Sequence, residues 1–134
     1  MAETFAEMEQ NAISRAVAIA ATEALRDLAM DPDALLVDVR DESEVDATGM
    51  GVRAIHAPGR SIAWMADLES AYRSDALQDR KRMVLTTCGG SPCYRGASAA
   101  NVLTRMGFTD ARFVEGGMQA LLNAGMPVKP RLSQ

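Results

Sequence analysis

Residues 83–106 read MVLTTCGGSPCYRGASAANVLTRM, and this stretch decides how the chain is interpreted. The largely apolar run from Met83 to Thr87 predicts a buried β-strand, and the Ala-rich segment from Arg95 to Met106 predicts a helix. Between them lies a Gly-rich loop that begins with Cys88. A strand that delivers a cysteine into such a loop, with a helix N-terminus behind it, can surround a thiol with converging backbone amides.

Cys88 is therefore the candidate nucleophile. The thiolate is the reactive form of cysteine, and nearby positive potential from amides and a helix N-terminus favours its formation. The positive charge of Arg95 at the N-terminus of its helix is unfavourable to the helix dipole unless an anion lies between the two. A guanidinium binds oxyanions through two parallel hydrogen bonds, so Arg95 is a candidate anion-binding residue. Cys93 is open to two interpretations, a loop thiol without a chemical role or a resolving, redox-active thiol. The candidate substrate-binding loop consists of Gly89, Gly90, Ser91, Pro92, Cys93 and Tyr94.

The remainder of the chain alternates predicted helices and strands, which indicates an α/β fold with a mostly parallel sheet. We expect one domain over residues 1–134, with a core at about 20–128 and a helical extension over 1–19 that has no chemical role. The main predicted elements are an amphipathic helix Ile13–Met30, strands in Ala34–Arg40, Val52–His56 and Phe108–Val114, and a final helix Met118–Ala124.

Three polar residues fall at the predicted carboxyl ends of strands, where open α/β sheets place their sites. Asp38 and Arg40 end one strand and His56, the only histidine, ends another. The first two are expected to form structural hydrogen bonds or an ion pair, and His56 to be hydrogen-bonded at its strand end. All three are possible supporting residues of the site.

Composition excludes several classes of function. The net charge of −4 and an aromatic content of 4% argue against nucleic acid as a partner. We expect neither a signal peptide nor a membrane span, and two cysteines in one loop predict a reducing, cytoplasmic setting instead of a disulfide framework. One histidine and two cysteines do not make an ordinary zinc site, so no metal is expected.

Several motifs in this order resemble the single-domain rhodanese family of sulfurtransferases. The resemblance implies the rhodanese-like three-layer fold, a five-stranded, mostly parallel sheet flanked by helices, with the Cys88 loop as active site. The motifs are Leu35–Arg40 followed by acids, Ala54–Pro58, the strand that ends at Cys88, Arg95 with Ala99, Ala100 and Leu103, Met106–Phe108 and Glu115–Gly117.

The resemblance further implies that Cys88 takes the sulfane sulfur of thiosulfate or a persulfide donor as a persulfide and passes it to cyanide or a thiol. Loop amides would hold the persulfide, Arg95 would orient the sulfonate end of the donor, and no cofactor would be needed. A homodimer is possible.

The loop departs from the family pattern, because six residues separate Cys88 from Arg95 where the family usually has four. Ser91-Pro92 reads as the insertion. Phosphatases of this fold have five residues between the cysteine and the arginine, which the six residues here do not match. A phosphatase is therefore a weaker hypothesis. Two further functions stay open: thiol-redox chemistry or oxyanion reduction through a Cys88/Cys93 disulfide, and a non-catalytic regulatory module.

Overall fold

The computed structural model describes residues 2–90 and 93–131. Five parallel strands form the central sheet in the order β1, β6, β5, β2, β4. A separate antiparallel pair joins β3 to β7. The strands are β1 Val17–Ile19, β2 Leu35–Asp38, β3 Met50–Gly51, β4 Ala54–His56, β5 Val84–Thr87, β6 Ala111–Val114 and β7 Val128–Lys129.

Helices cover both faces of the sheet, so the α/β fold with a five-stranded parallel sheet is confirmed. Alternate side chains of β2 show the layering: Leu36 packs with α2, α3 and α6, whereas Leu35 and Val37 face α4 and α5. The helices are α1 Phe5–Ser14, α2 Ala21–Met30, α3 Glu42–Thr48, α4 Ile62–Ala66, α5 Arg95–Arg105 and α6 Gly117–Asn123, with a short 3-10 helix at Asp75–Leu77.

The single helix predicted from Ile13 to Met30 is wrong. Strand β1 interrupts it, because the β-branched residues Val17 and Ile19 pair in parallel register with Arg112 and Val114 of β6. Sequence periodicity could not reveal this pairing, since the paired residues are 95 positions apart in the chain. The strand lies in the segment that was predicted to be a helical extension.

Helix α1 begins with a capping box in which Thr4 accepts from the Glu7 amide and Glu7 accepts from the Thr4 amide. The helix packs against α5, and Ala12 and Ile13 contact buried Phe113 and its neighbours. Phe5 reaches the Cys88 loop, where its ring lies 5.3 Å from the Tyr94 ring, centroid to centroid. The extension is therefore packed on the domain beside the loop.

In the described part of the chain, no helix combines the length and the apolar character that crossing a lipid bilayer requires.

Candidate active site

Strand β5 delivers Cys88 to the carboxyl edge of the sheet. All four residues of β5 are buried, and the strand lies between β2 and β6 near the middle of the sheet. Cys88 follows directly, with 5% of its surface exposed. The Thr86 hydroxyl donates a 2.6 Å hydrogen bond to the Gly96 carbonyl, which ties the strand to the first turn of α5. The predicted order of strand, cysteine loop and helix is confirmed.

The first turn of α6 supports the loop from the other side. The Met118 amide donates to the Cys88 carbonyl at 2.7 Å, and the Gln119 amide donates to the Gly89 carbonyl at 3.4 Å. A Cβ on Gly117 would collide with the Cys88 carbonyl oxygen. Glycine is therefore required there, because any side chain would displace the backbone that carries the thiol.

Two backbone amides point at the thiol. The amides of Gly90 and Gly96 hydrogen-bond Cys88 and act to lower the pKa of its thiol. Gly90 has a φ of 121°, and a Cβ there would meet the Gly116 carbonyl oxygen at 2.7 Å. Gly90 belongs to the loop whose amides were predicted to form the cradle, whereas Gly96 lies beyond it in α5. Ser91 and Pro92 lie outside the described residues, and the cradle as a whole stays a prediction.

Cys93 lies against Cys88. The two side chains hydrogen-bond each other, and Cys88 Sγ lies 3.8 Å from the Cys93 carbonyl oxygen. Both cysteines are free thiols, Cys88 buried and Cys93 partly exposed. The hydrogen bond from Cys88 lowers the pKa of Cys93 to about 5, and the Arg95 guanidinium adds to the lowering.

The same hydrogen bond, together with burial, raises the pKa of Cys88. The two thiols therefore titrate as a coupled pair, and the directions of the two shifts favour Cys93 as the site of the negative charge.

Arg95 is held by a carboxylate that was not among the predicted site residues. Its Nη1 and Nη2 donate to the two oxygens of Glu44 at 2.6 and 2.9 Å, and its Nε donates to Cys93 Sγ at 3.1 Å. This pairing raises the pKa of Arg95 and lowers that of Glu44 to about 2. Asp41 adds a longer ion pair, at 3.6 Å from Arg95 Nη1.

A sequence signal for Glu44 did exist. It stands three residues after Asp41, and the pair forms a capping box at the start of α3, immediately after the carboxyl end of β2. That position puts the carboxylate at the same edge of the sheet as Cys88. The predicted role of Arg95 in orienting a donor stays a prediction.

A cavity of about 270 Å³ opens over Cys88. The Cys88 loop, the first turn of α6 and Phe113 of β6 form most of its wall. Helix α5 adds Gly96 and Ala97, and helix α1 adds Glu9, Gln10 and Ile13. The extension for which no chemical role was predicted thus borders the site.

Asp38, Arg40 and His56 form a neighbouring structural cluster. Arg40 pairs with Asp38 at 2.8 Å, and His56 Nε2 lies 2.7 Å from the Arg40 carbonyl oxygen. Arg40 also donates to the Thr48 hydroxyl and the Gly49 carbonyl, at 2.8 and 2.7 Å. None of the three is among the described residues that line the cavity. A supporting role for them stays a prediction.

No group of three or more His, Cys, Asp or Glu side chains in residues 2–90 and 93–131 is arranged to hold a metal ion.

Comparison with known proteins gives the family and the fold. The sequence profile of the Rhodanese-like domain matches residues 21–124. Among curated proteins, no sequence matches this chain.

Solved structures give three informative similarities. A polysulfide-sulfur transferase homodimer from Wolinella succinogenes is 26% identical, with a TM-score of 0.74 over 97% of this chain and 90% of that one. A rhodanese-like domain protein from Staphylococcus aureus is 26% identical, with a TM-score of 0.63 over 84% of this chain and 98% of that one. A protein of unknown function and possible tyrosine phosphatase from Rhodopseudomonas palustris is 23% identical, with a TM-score of 0.83 over 96% of both chains.

Proposed function

This chain belongs to the rhodanese-like domain family, and we propose that it is a sulfurtransferase that carries a sulfane sulfur as a persulfide on Cys88. The observation that carries the proposal is the placement of Cys88, at the end of a central strand, under a cavity and in hydrogen-bond contact with the amides of Gly90 and Gly96. The similarity to a polysulfide-sulfur transferase supports the same chemistry.

The proposed donor is thiosulfate or a related persulfide or polysulfide anion. The Cys88 sulfur attacks the outer sulfur of thiosulfate, the sulfur–sulfur bond of the donor breaks, and sulfite leaves with the electron pair. Cyanide or a thiol then attacks the outer sulfur of the persulfide and Cys88 leaves as a thiolate. Covalent catalysis of this kind divides one transfer into two easier displacements.

Arg95 is proposed to meet the oxyanion end of the donor. Its side chain is 35% exposed and lies at the loop, but both terminal nitrogens are bound to Glu44. Donor binding through Arg95 therefore requires exchange of at least one Glu44 hydrogen bond for a donor oxygen. A cytoplasmic setting is part of the proposal, because catalysis needs both thiols reduced.

A second candidate is thiol-redox chemistry, which the contact between the two thiols favours. In that case Cys93 would resolve an intermediate on Cys88 as a disulfide, and an external dithiol would be needed to reduce it.

Mass spectrometry of the reduced protein after incubation with thiosulfate tests the proposal. We expect the gain of one sulfur atom on the peptide that contains Cys88, and its loss on addition of cyanide. No added sulfur, together with the loss of two hydrogens across Cys88 and Cys93 on mild oxidation, would contradict sulfur transfer from this donor and support the redox candidate.

Gly90→Ala is expected to slow sulfur loading about a hundredfold, since a displacement of about 1 Å at a reacting group costs that much. The added Cβ would clash with the Gly116 carbonyl oxygen at 2.7 Å and push the loop away from Cys88. Loading is measured by rapid quenching and mass spectrometry. Gly125→Ala is the matched control, because Gly125 also has a positive φ, of 95°, but has open space around its Cβ position. Equal rates in the two variants would show that loop placement does not limit loading.

A further inference from the structure

Of the two thiols, Cys93 is the one in contact with a positively charged side chain. Arg95 Nε lies 3.1 Å from Cys93 Sγ, whereas the described hydrogen bonds to the Cys88 side chain come from neutral amides and from Cys93. Glu44 fixes the guanidinium in this position through two hydrogen bonds. A fixed positive charge thus stabilises a thiolate at Cys93, one hydrogen bond away from the buried Cys88 thiol.

In this arrangement Cys88, the proposed nucleophile, is a thiol that must lose its proton in order to attack the donor. Cys88 is 5% exposed, so its contact with water is limited to the cavity above it. Among the described residues, Cys88 Sγ donates toward the Cys93 carbonyl oxygen at 3.8 Å, and its side chain is also hydrogen-bonded to that of Cys93. Cys93 is partly exposed at the cavity wall. Within residues 2–90 and 93–131, the other charged side chains that face the pair or its arginine are Glu44 and Asp41 at α3 and Glu9 of α1.

We propose that Cys93 is a second catalytic residue, a proposal that rests on the proposed sulfur transfer. Cys93 would be the general base that takes the proton of Cys88 when Cys88 attacks the donor. The Cys88 S–H bond breaks and the proton forms a bond to Cys93 Sγ. The electron pair of Cys88 makes the new bond to the outer sulfur of the donor, and sulfite leaves with the pair of the broken S–S bond.

The second half of the cycle restores the starting state. When the acceptor takes the outer sulfur, Cys88 leaves as a thiolate and recovers its proton from Cys93. Neither cysteine is oxidised at the end of the cycle, which distinguishes this role from a resolving thiol.

The expected effect is on the pH dependence of loading. With Cys93 present, the pair carries a thiolate above a pH of about 5, so loading in the wild type should be nearly constant from pH 6 to 9. In Cys93→Ser, Cys88 must lose its proton to solvent, and even a thiol with an unperturbed pKa of about 8.5 is only about 1% ionised at pH 6.5. Burial still acts to raise the pKa of Cys88 in this variant, so loading should fall by about a hundredfold or more at pH 6.5 and rise with increasing pH.

The experiment compares wild type, Cys93→Ser and Cys93→Asp. Loading from thiosulfate is followed by rapid quenching and mass spectrometry between pH 6 and pH 9.5, and far-UV circular dichroism checks that each variant is folded. The carboxylate of Cys93→Asp is also a base beside Arg95, so it should raise loading at pH 6.5 at least tenfold above Cys93→Ser. A Cys93→Ser profile with the wild-type shape would overturn the proposal.

Thiolate absorbance at 240 nm supplies a second readout without any donor. We expect one thiolate at pH 7 in the wild type and its loss in Cys93→Ser. A thiolate that persists in Cys93→Ser would place the charge on Cys88 and overturn the role of Cys93. Absence of loading in all three proteins at every pH would instead contradict the proposed sulfurtransferase function.

Discussion

Cys88→Ser is expected to lower the rate of sulfur transfer by about a thousandfold or more and to abolish the sulfur gain detected by mass spectrometry. Serine keeps nearly the shape of cysteine, but its hydroxyl stays protonated and is a weak nucleophile without a strong base beside it. The backbone around residue 88 is fixed by hydrogen bonds from Met118 and by β5, and neither depends on the sulfur. Activity should therefore fall without loss of the fold.

Thiocyanate formation from thiosulfate and cyanide measures the loss, and thermal unfolding checks the fold. Wild-type protein alkylated at both thiols provides a second inactive reference. If Cys88→Ser still gained one sulfur, on the peptide that contains Cys93, the nucleophile would be Cys93 and the proposed division of roles between the two cysteines would be wrong.

The strand, loop and helix around Cys88 could be predicted from sequence because each carries a local signal. A buried apolar run, a pair of glycines and a helical Ala-rich segment follow one another in only two dozen residues. Parallel strands place their carboxyl ends at one edge, so the position of Cys88 followed from the fold class. The number of five strands was implied by the resemblance to the rhodanese family, and the sheet has that number of strands.

The features that were missed depend on contacts between distant parts of the chain. Strand β1 exists because Val17 and Ile19 find partners in β6, and the same residues are compatible with a helical pattern when taken alone. Strand β7 pairs with β3 over only two residues, which is too short for an alternating hydrophobic pattern to be detected. Local secondary-structure propensity is a weak guide wherever tertiary contacts decide between helix and strand.

The polar contacts of the site also could not be predicted from local sequence patterns. Arg95 was singled out as an anion-binding residue, yet its described hydrogen-bond partners are Glu44, 51 residues earlier, and the sulfur of Cys93. The helix-opening position of Arg95 is explained by these negative groups, because they offset the unfavourable helix dipole. Sequence reasoning thus identified the need for an anion beside Arg95 but not that the protein supplies one.

Asp38→Ala is expected to destabilise the domain by about 3–5 kcal/mol, because removal of one partner leaves a buried charge uncompensated. Asp38 is 0% and Arg40 4% exposed, so water cannot replace the lost carboxylate without a change in structure. The Asp38 carboxylate accepts from Arg40 Nε at 3.0 Å, from Nη2 at 2.8 Å and from the Arg40 amide at 3.1 Å. A loss of this size is a large part of the roughly 5–15 kcal/mol that stabilises a typical domain.

Urea unfolding followed by circular dichroism measures this loss, and Asp38→Leu combined with Arg40→Met is the matched control. The double variant removes both charges together, so it should recover most of the stability that Asp38→Ala loses. Arg40 also holds Thr48 and Gly49, and the part of the loss that the double variant does not recover measures those contacts. A loss below about 1 kcal/mol in Asp38→Ala would mean that Arg40 finds another partner, and the assignment of the pair as a structural element would then be wrong.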